Sequence, residues 1–286
     1  MHHHSHNTFI FAQKYVYEKN CSGIICFCEL VVAQNKQDKP KLVIGIVVDQ
    51  MRYDYLIKFK NNFTKGGFLK LMNEGIFLKN VHYNYIPTYT APGHASIYTG
   101  TTPRFHQIIA NEWYDKKQKK NIYCVSTESV MSVGTDNANG KMSPVNLHAS
   151  TITDELKLLN KDKSKVIAIS LKDRSAILPG GHMADAAYWW DEATGNFISS
   201  SFYMRQLPQW VVNFNNQRLA LQYLQKNWDL IISREKYVSL LPDSNQYEKS
   251  ILNNYAPKFP YDFSEYVKES KSKYIEIYAL RQQYFD

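Results

Sequence analysis

The sequence predicts an α/β fold, a layered sheet with helices on both faces, and three observations carry that expectation. Residues 42–48 form a short, nearly uninterrupted apolar run rich in β-branched side chains. A parallel strand buried on both faces requires that pattern. Residues 165–171 (Lys-Val-Ile-Ala-Ile-Ser-Leu) repeat it. Segments of helical periodicity lie around both runs, and strands alternating with helices predict a sheet whose ligands gather at strand carboxyl ends. Composition agrees: at 286 residues, 44% hydrophobic and 21% charged, the chain is composed like a folded protein and unlike a disordered one. No apolar run reaches the ~18 residues of a membrane span, which excludes an integral membrane bundle.

The elements follow in order. Lys14 and Lys19 precede a mostly apolar stretch at residues 21–33, and Val31-Val32-Ala33 supplies a small-residue end. Residues 1–33 therefore read as an export leader and residues 34–40 as a polar linker. The terminal His2, His3, His4 and His6 read as an incidental cluster. Three of the four cysteines lie in the leader, so its removal would leave Cys124 alone and no internal disulfide. The strand at residues 42–48 ends at Asp49, a carboxylate at a strand terminus. Helical patterning at residues 53–74 is broken at Gly66-Gly67 and closed by Gly75. A second strand is expected at residues 76–85. After the turn at Pro87, a short helix at residues 92–98 has Pro92 in its first turn and Gly100 past its end. Residues 111–126 read as a hairpin with a lysine-rich, solvated tip at residues 116–120. Residues 151–159 look helical, and the strand at residues 165–171 runs into Lys172-Asp173-Arg174. Strands at residues 187–191 and 196–203 flank the turn at residues 192–195. From Leu207 the chain reads as helix and loop, rich in Tyr, Asn and Gln.

Five positions could carry chemistry. Asp49 can hold a divalent cation from a strand end, although a helix cap or a salt bridge uses the same residue. Thr90 stands just before a helix, where free N–H groups and the macrodipole favour phosphate or a developing oxyanion; a plain capping residue is the alternative. Lys172 and Arg174 are two apart and on an extended segment would face the same side. A point charge beside a planar fork suits a dianionic phosphoryl group, and a surface pair is the bland alternative. Asn111 can donate to a phosphoryl oxygen, or simply occupy a turn. The net charge of +8 fits an anionic partner without naming it.

Taken together, Val47-Val48-Asp49-Gln50-Met51-Arg52-Tyr53-Asp54, Pro87-Thr88-Tyr89-Thr90-Ala91-Pro92-Gly93-His94, Asn111-Glu112-Trp113-Tyr114-Asp115 and Ser170-Leu171-Lys172-Asp173-Arg174 resemble the alkaline phosphatase superfamily. The likeness is to its bacterial phosphate-irrepressible branch, related to the type I phosphodiesterase/nucleotide pyrophosphatases. It runs from about residue 42 to about residue 262. The resemblance implies an alkaline-phosphatase-like layered sheet over residues 41–286, incomplete at its carboxy-terminal side. It implies hydrolysis of small-molecule phosphate monoesters through a phosphothreonine at Thr90. Asn111, Lys172 and Arg174 would hold the phosphoryl oxygens, and Asp49 and Thr90 would contact two zinc ions. It also implies a periplasmic or secreted enzyme.

The family completes its metal site with an Asp-x-x-x-His element, an Asp-His pair and a further distant His. No Asp in this chain is followed by His directly or four residues on, and no histidine follows His182. Catalytic zinc normally keeps three protein ligands. A shortened or frameshifted reading frame with little or no activity of its own is therefore expected. A phosphodiesterase or nucleotide pyrophosphatase of the same superfamily is the alternative enzyme. A basic anion- or nucleic-acid-binding protein is the alternative outside enzymes, with no helix-turn-helix, zinc-finger or RRM-type signature behind it.

Overall fold

A computed structural model describes residues 11–13, 40–237 and 258–263. They fall into two compact units that divide between His82 and Tyr83. The apolar stretch read as the core of a leader, at residues 21–33, lies outside the described residues, as do residues 264–286.

In the smaller unit, β1 (Phe11–Gln13) pairs antiparallel with β2 (Gly75–Phe77), Phe11 opposite Phe77 and Gln13 opposite Gly75. Between them lie α1 (Tyr53–Lys58), a 3-10 turn (Lys60–Asn62) and α2 (Gly67–Glu74). The helical reading of residues 53–74 holds, with its break before Gly67 and its stop at Gly75, whose N–H bonds Leu71 O. Two strand expectations fail here. Residues 42–48 form no strand, and Leu42, Val43, Ile44 and Ile46 are exposed. A strand is a pairing relation, and no described segment supplies this run with a hydrogen-bonding neighbour. Asp49 consequently sits in a turn with Gln50 at φ 58°, not at a strand end. The strand expected at residues 76–85 stops at Phe77, because β1 offers only a three-residue partner. Arg52 and Asp54 form a bidentate pair at 3.0 Å, more than half exposed on both sides and so of little weight for stability.

The larger unit begins with α3 (Thr90–Thr99) and α4 (Pro103–His106), followed by the hairpin of β3 (Glu112–Asp115) and β4 (Lys120–Tyr123). The lysine-rich tip is a solvated turn, held by Asp115 Oδ1 accepting from the Lys117 and Gln118 amides at 2.8 Å. Then come β5 (Ser132–Val133), α5 (Ile152–Leu159), β6 (Ile167–Ser170), α6 (Asp173–Gly180), β7 (Ala186–Asp191), β8 (Asn196–Ser200), α7 (Gln209–Asn216) and α8 (Leu219–Leu224). The sheet runs β5-β8-β7-β6, with β6 and β7 parallel and the other neighbours antiparallel.

Helices cover both faces. On one, Ala91 and Ala95 of α3 and Ala176, Ile177 and Leu178 of α6 pack into a core with Ala187, Trp189 and Ile198. Alanines at the α3–α6 contact let the two helices approach closely, so both helix starts are set by the same packing. On the other face, Val211 of α7 covers Ala186 and Tyr188. That cover ends at β7: Ile167 and Ile169, in register with Ala186 and Tyr188, are each 58% exposed. The expected burial of this run on both faces is therefore corrected for β6, which stands at the edge of the sheet among the described residues.

Local caps explain the helix limits. Thr151 Oγ1 accepts from the Asp154 amide while Asp154 accepts from the Thr151 amide, a reciprocal box that starts α5. Gly181, at φ 75°, ends α6 within 2.6 Å, measured from an added Cβ, of the Asp154 carboxylate oxygens, so only glycine fits. Thr153 Oγ1 donates to the last carbonyls of α6, Pro179 O at 2.8 Å and Gly180 O at 3.0 Å.

His106 is fully buried, and Ile108 N–H donates to its Nδ1 at 3.1 Å, so its Nε2 proton faces Ser96 Oγ at 2.9 Å. Burial pushes its pKa down to about 4, with its backbone hydrogen bond opposing. The folded value lies below the unfolded one near 6.5, so the unfolded chain binds more protons in between. Stability is complete above about pH 6.5 and lost as pH falls toward 4, by about 3 kcal/mol. His182 has the opposite sense. Its bond to Asp154 raises it against its own burial, so its contribution is present in acid and fades as pH rises. Urea midpoints measured between pH 7 and 4.5 should fall steeply for the wild type and far less for His106→Asn. Equal slopes would remove His106 as the cause.

Candidate active site

Thr90 is the first residue of α3 and not its cap, which is Tyr89 with extended backbone and no side-chain capping bond. The cap comes from afar: Asn111 Oδ1 accepts from Ala91 N–H at 2.8 Å. This orients the Asn111 amide and leaves Nδ2 as its remaining donor. Pro92 has no N–H, and Gly93 N–H bonds Tyr89 O at 3.0 Å. The expectation of free amides at this helix start is corrected accordingly, since residues 91–93 have none to offer. His94 is buried, its Nδ1 2.8 Å from Thr90 O.

Asn111 is tied to the next group through the hairpin, because Cys124 N–H donates to Asn111 O at 3.0 Å. Beside Cys124, Tyr123 reaches the start of α6: its hydroxyl donates to Asp173 Oδ1 at 2.6 Å and accepts from Arg174 Nη1 at 2.9 Å. Asp173 also accepts from the Arg174 amide at 2.6 Å. Burial raises the Tyr123 pKa, and the Asp173 charge raises it further. Burial likewise raises Asp173, against hydrogen bonds from Tyr123 and Arg174. Burial alone would lower Arg174; Tyr123 and Asp173 more than restore it, so it stays charged. Cys124 is buried and its thiol is pushed well up, which makes it a packing residue and not a nucleophile.

Lys172 and Arg174 do not lie on an extended segment. Lys172 is the cap of α6 and Arg174 its second residue, so the same-side argument fails. Each has its own carboxylate or phenol: Lys172 Nζ pairs with Glu192 of the β7–β8 turn, and Arg174 binds Tyr123. Tyr123, Asp173 and Glu192 were not singled out from the sequence. Only Asp173, lying between two basic candidates, had a local signal. Thus hydrogen bonds tie Ala91, the neighbour of Thr90, to Asn111, Asn111 to Cys124, and the adjacent Tyr123 to Arg174, while Lys172 stands at the same helix start and Asp49 lies in the smaller unit.

Zinc does not fit what is described. Among the described residues no group of three His, Cys, Asp or Glu side chains is placed to hold a metal ion. His94, His106 and His182 already bond Thr90 O, Ser96 and Asp154.

The type I phosphodiesterase / nucleotide pyrophosphatase family profile matches residues 43–239. The chain belongs to that family. Alkaline phosphatase PhoV of Synechococcus elongatus is 44% identical over 260 residues, covering 87% of this chain and 47% of that protein. A protein of Myroides odoratus named calcium-transporting ATPase is 43% identical over 256 residues, covering 89% and 47%. Alkaline phosphatase PafA of Elizabethkingia meningoseptica is 43% identical over 242 residues, covering 84% and 44%. A crystal structure of wild-type PafA superposes with a TM-score of 0.75 at 41% identity, over 78% of this chain and 43% of that one. These likenesses place the chain within the alkaline phosphatase superfamily and carry its α/β fold. The chain spans about half the length of the curated relatives it matches. No described helix is long and apolar enough to cross a membrane.

Proposed function

We propose that this chain carries the nucleophile and phosphate-holding side chains of an exported phosphomonoesterase working through a phosphothreonine. The observation behind the reading is that Asn111 caps the α3 start beside Thr90, while the hairpin that carries Asn111 also brings Tyr123 to Asp173 and Arg174 at the packed start of α6. Thr90 Oγ would attack phosphorus and give up its proton, the ester P–O bond would break, and the leaving oxygen would take the electron pair and a proton to depart as the alcohol. Water would then cleave the phosphothreonine to inorganic phosphate and restore the hydroxyl. Asn111 Nδ2 and the Arg174 fork would hold the equatorial oxygens, and Lys172, exchanging Glu192 for substrate, would add a second positive charge. Phosphatase and ATPase, the names its relatives bear, have phosphoryl cleavage in common. The two zinc ions implied by the resemblance need donors beyond those described. The 286-residue chain by itself is accordingly expected to show little or no turnover of p-nitrophenyl phosphate with zinc.

The monoester reading rests on Lys172 and Arg174, because a monoester presents two negative oxygens where a diester presents one. The test uses a chimera in which residues 42–237 replace the matching part of PafA. Lys172→Ala and Arg174→Ala should each lower turnover of p-nitrophenyl phosphate by about a hundredfold. Bis-p-nitrophenyl phosphate turnover should change less than tenfold, roughly one ion-pair's worth. If both variants keep the monoester preference, the pair does not read the second charge and the phosphodiesterase reading takes its place.

A further inference from the structure

The described molecule holds three features that the proposed reaction leaves unused: the buried Asp191 cluster, the uncovered face of β6, and the Tyr123–Asp173 pair. Asp191 is saturated by donors from its surroundings, and nothing on the β6 face says what would cover it. The third feature carries an inference.

We propose that Tyr123 and Asp173 are positioning residues that aim the Arg174 fork at the phosphoryl group while leaving it charged and unsaturated. This rests on the reading of Arg174 as a phosphate holder. A direct carboxylate–guanidinium pair would occupy two N–H groups and neutralise the charge a dianion needs. Here the tyrosine hydroxyl is interposed. Arg174 Nη1 donates to it at 2.9 Å, and it donates to Asp173 at 2.6 Å. The Asp173 carboxylate thus engages the arginine only through its backbone amide and the phenol. One N–H of the fork is spent on orientation. Nε, buried, has no partner among the described residues. A buried donor without an acceptor costs stability, and its retention is explained where an anion completes it. Tyr123 stands at the end of β4 next to Cys124, whose amide binds Asn111 O. The same hairpin therefore sets the two groups assigned to the phosphoryl oxygens, the Asn111 amide and the Arg174 fork.

The test is NMR of the full chain labelled with 15N-arginine, with the Arg174 Nε–H signal assigned by its loss in Arg174→Lys, and inorganic phosphate as the probe. The wild type should show a protected signal that shifts saturably with phosphate. Tyr123→Phe, which removes one oxygen and keeps the ring, should leave the melting temperature within a few degrees. It should also expose the Nε–H to rapid exchange and weaken phosphate binding about tenfold. A signal and an affinity unchanged in Tyr123→Phe would overturn the positioning role. If the variant loosens Arg174 but phosphate shifts nothing even in the wild type, the phosphate-holding reading falls, and with it the purpose assigned to the pair. Asp173→Asn, which keeps an acceptor for the phenol, should retain more protection than Tyr123→Phe; a greater loss would also overturn the proposed chain.

Discussion

In the chimera, Thr90→Ala is expected to lose at least about a thousandfold in turnover of p-nitrophenyl phosphate, the scale set by removing a covalent nucleophile. Thr90→Ser, which keeps the hydroxyl, should retain activity within about tenfold, and acid quenching of either active form should trap labelled phosphate on the protein. The discrimination depends on position and not on fold. Thr90 lies outside the buried α3 core of Ala91, Pro92, Gly93, His94 and Ala95, and the α3 start is capped by Asn111 whichever side chain follows Tyr89. Substitution should therefore leave the melting temperature nearly unchanged. Residual turnover in Thr90→Ala within tenfold of the parent chimera would reject the phosphothreonine intermediate and move the nucleophile elsewhere.

Asp191→Ala should destabilise the chain by about 4 kcal/mol, read as a fall in the urea midpoint. Asp191 is 1% exposed and forms no ion pair among the described residues. Its charge is carried by Thr135 Oγ1 at 2.9 Å, Asn137 Nδ2 at 3.0 Å, Asn139 Nδ2 at 2.6 Å, the Ala193 amide at 3.1 Å and Thr194 Oγ1 at 2.8 Å. Burial would raise its pKa, and these side-chain bonds outweigh burial and lower it. Removing the acceptor leaves the half-buried Thr135, Asn137 and Thr194 donors without a partner, each at about 1–3 kcal/mol if unrelaxed, with water reaching the exposed Asn139 and Ala193 recovering part. The damage would spread, since Asn139 O also accepts from Trp189 Nε1 in the core. A loss below 1 kcal/mol would mean that the loop at residues 135–139 refolds around other acceptors.

Elements resting on consecutive residues were legible. The helix expected at residues 92–98 appears as Thr90–Thr99, with Gly100 at φ 66° after it. The hairpin, the helix opened by Thr151 and the strand pair around residues 192–195 also appear where composition and turn chemistry put them. The two failures, residues 42–48 and 76–85, have a common cause. Apolar β-branched runs report willingness to pair, and only a neighbour of matching length converts it into a strand. In the candidate site, Thr90, Asn111, Lys172 and Arg174 were visible because each belongs to a compact local motif. Tyr123 was not, because its significance is a contact fifty positions away in the chain, with Asp173.

What the sequence determined by itself is the α/β class, the order of most elements and membership in the family, all encoded in short-range periodicity, caps and motifs. What only the tertiary structure decided is how the basic pair is used. The spacing of Lys172 and Arg174 pointed to a shared face, and the start of α6 instead sends one to Glu192 and the other to Tyr123. The reason is electrostatic. A cation drawn into a protein interior must find compensation there, and the groups that supply it are chosen by packing, not by proximity along the chain.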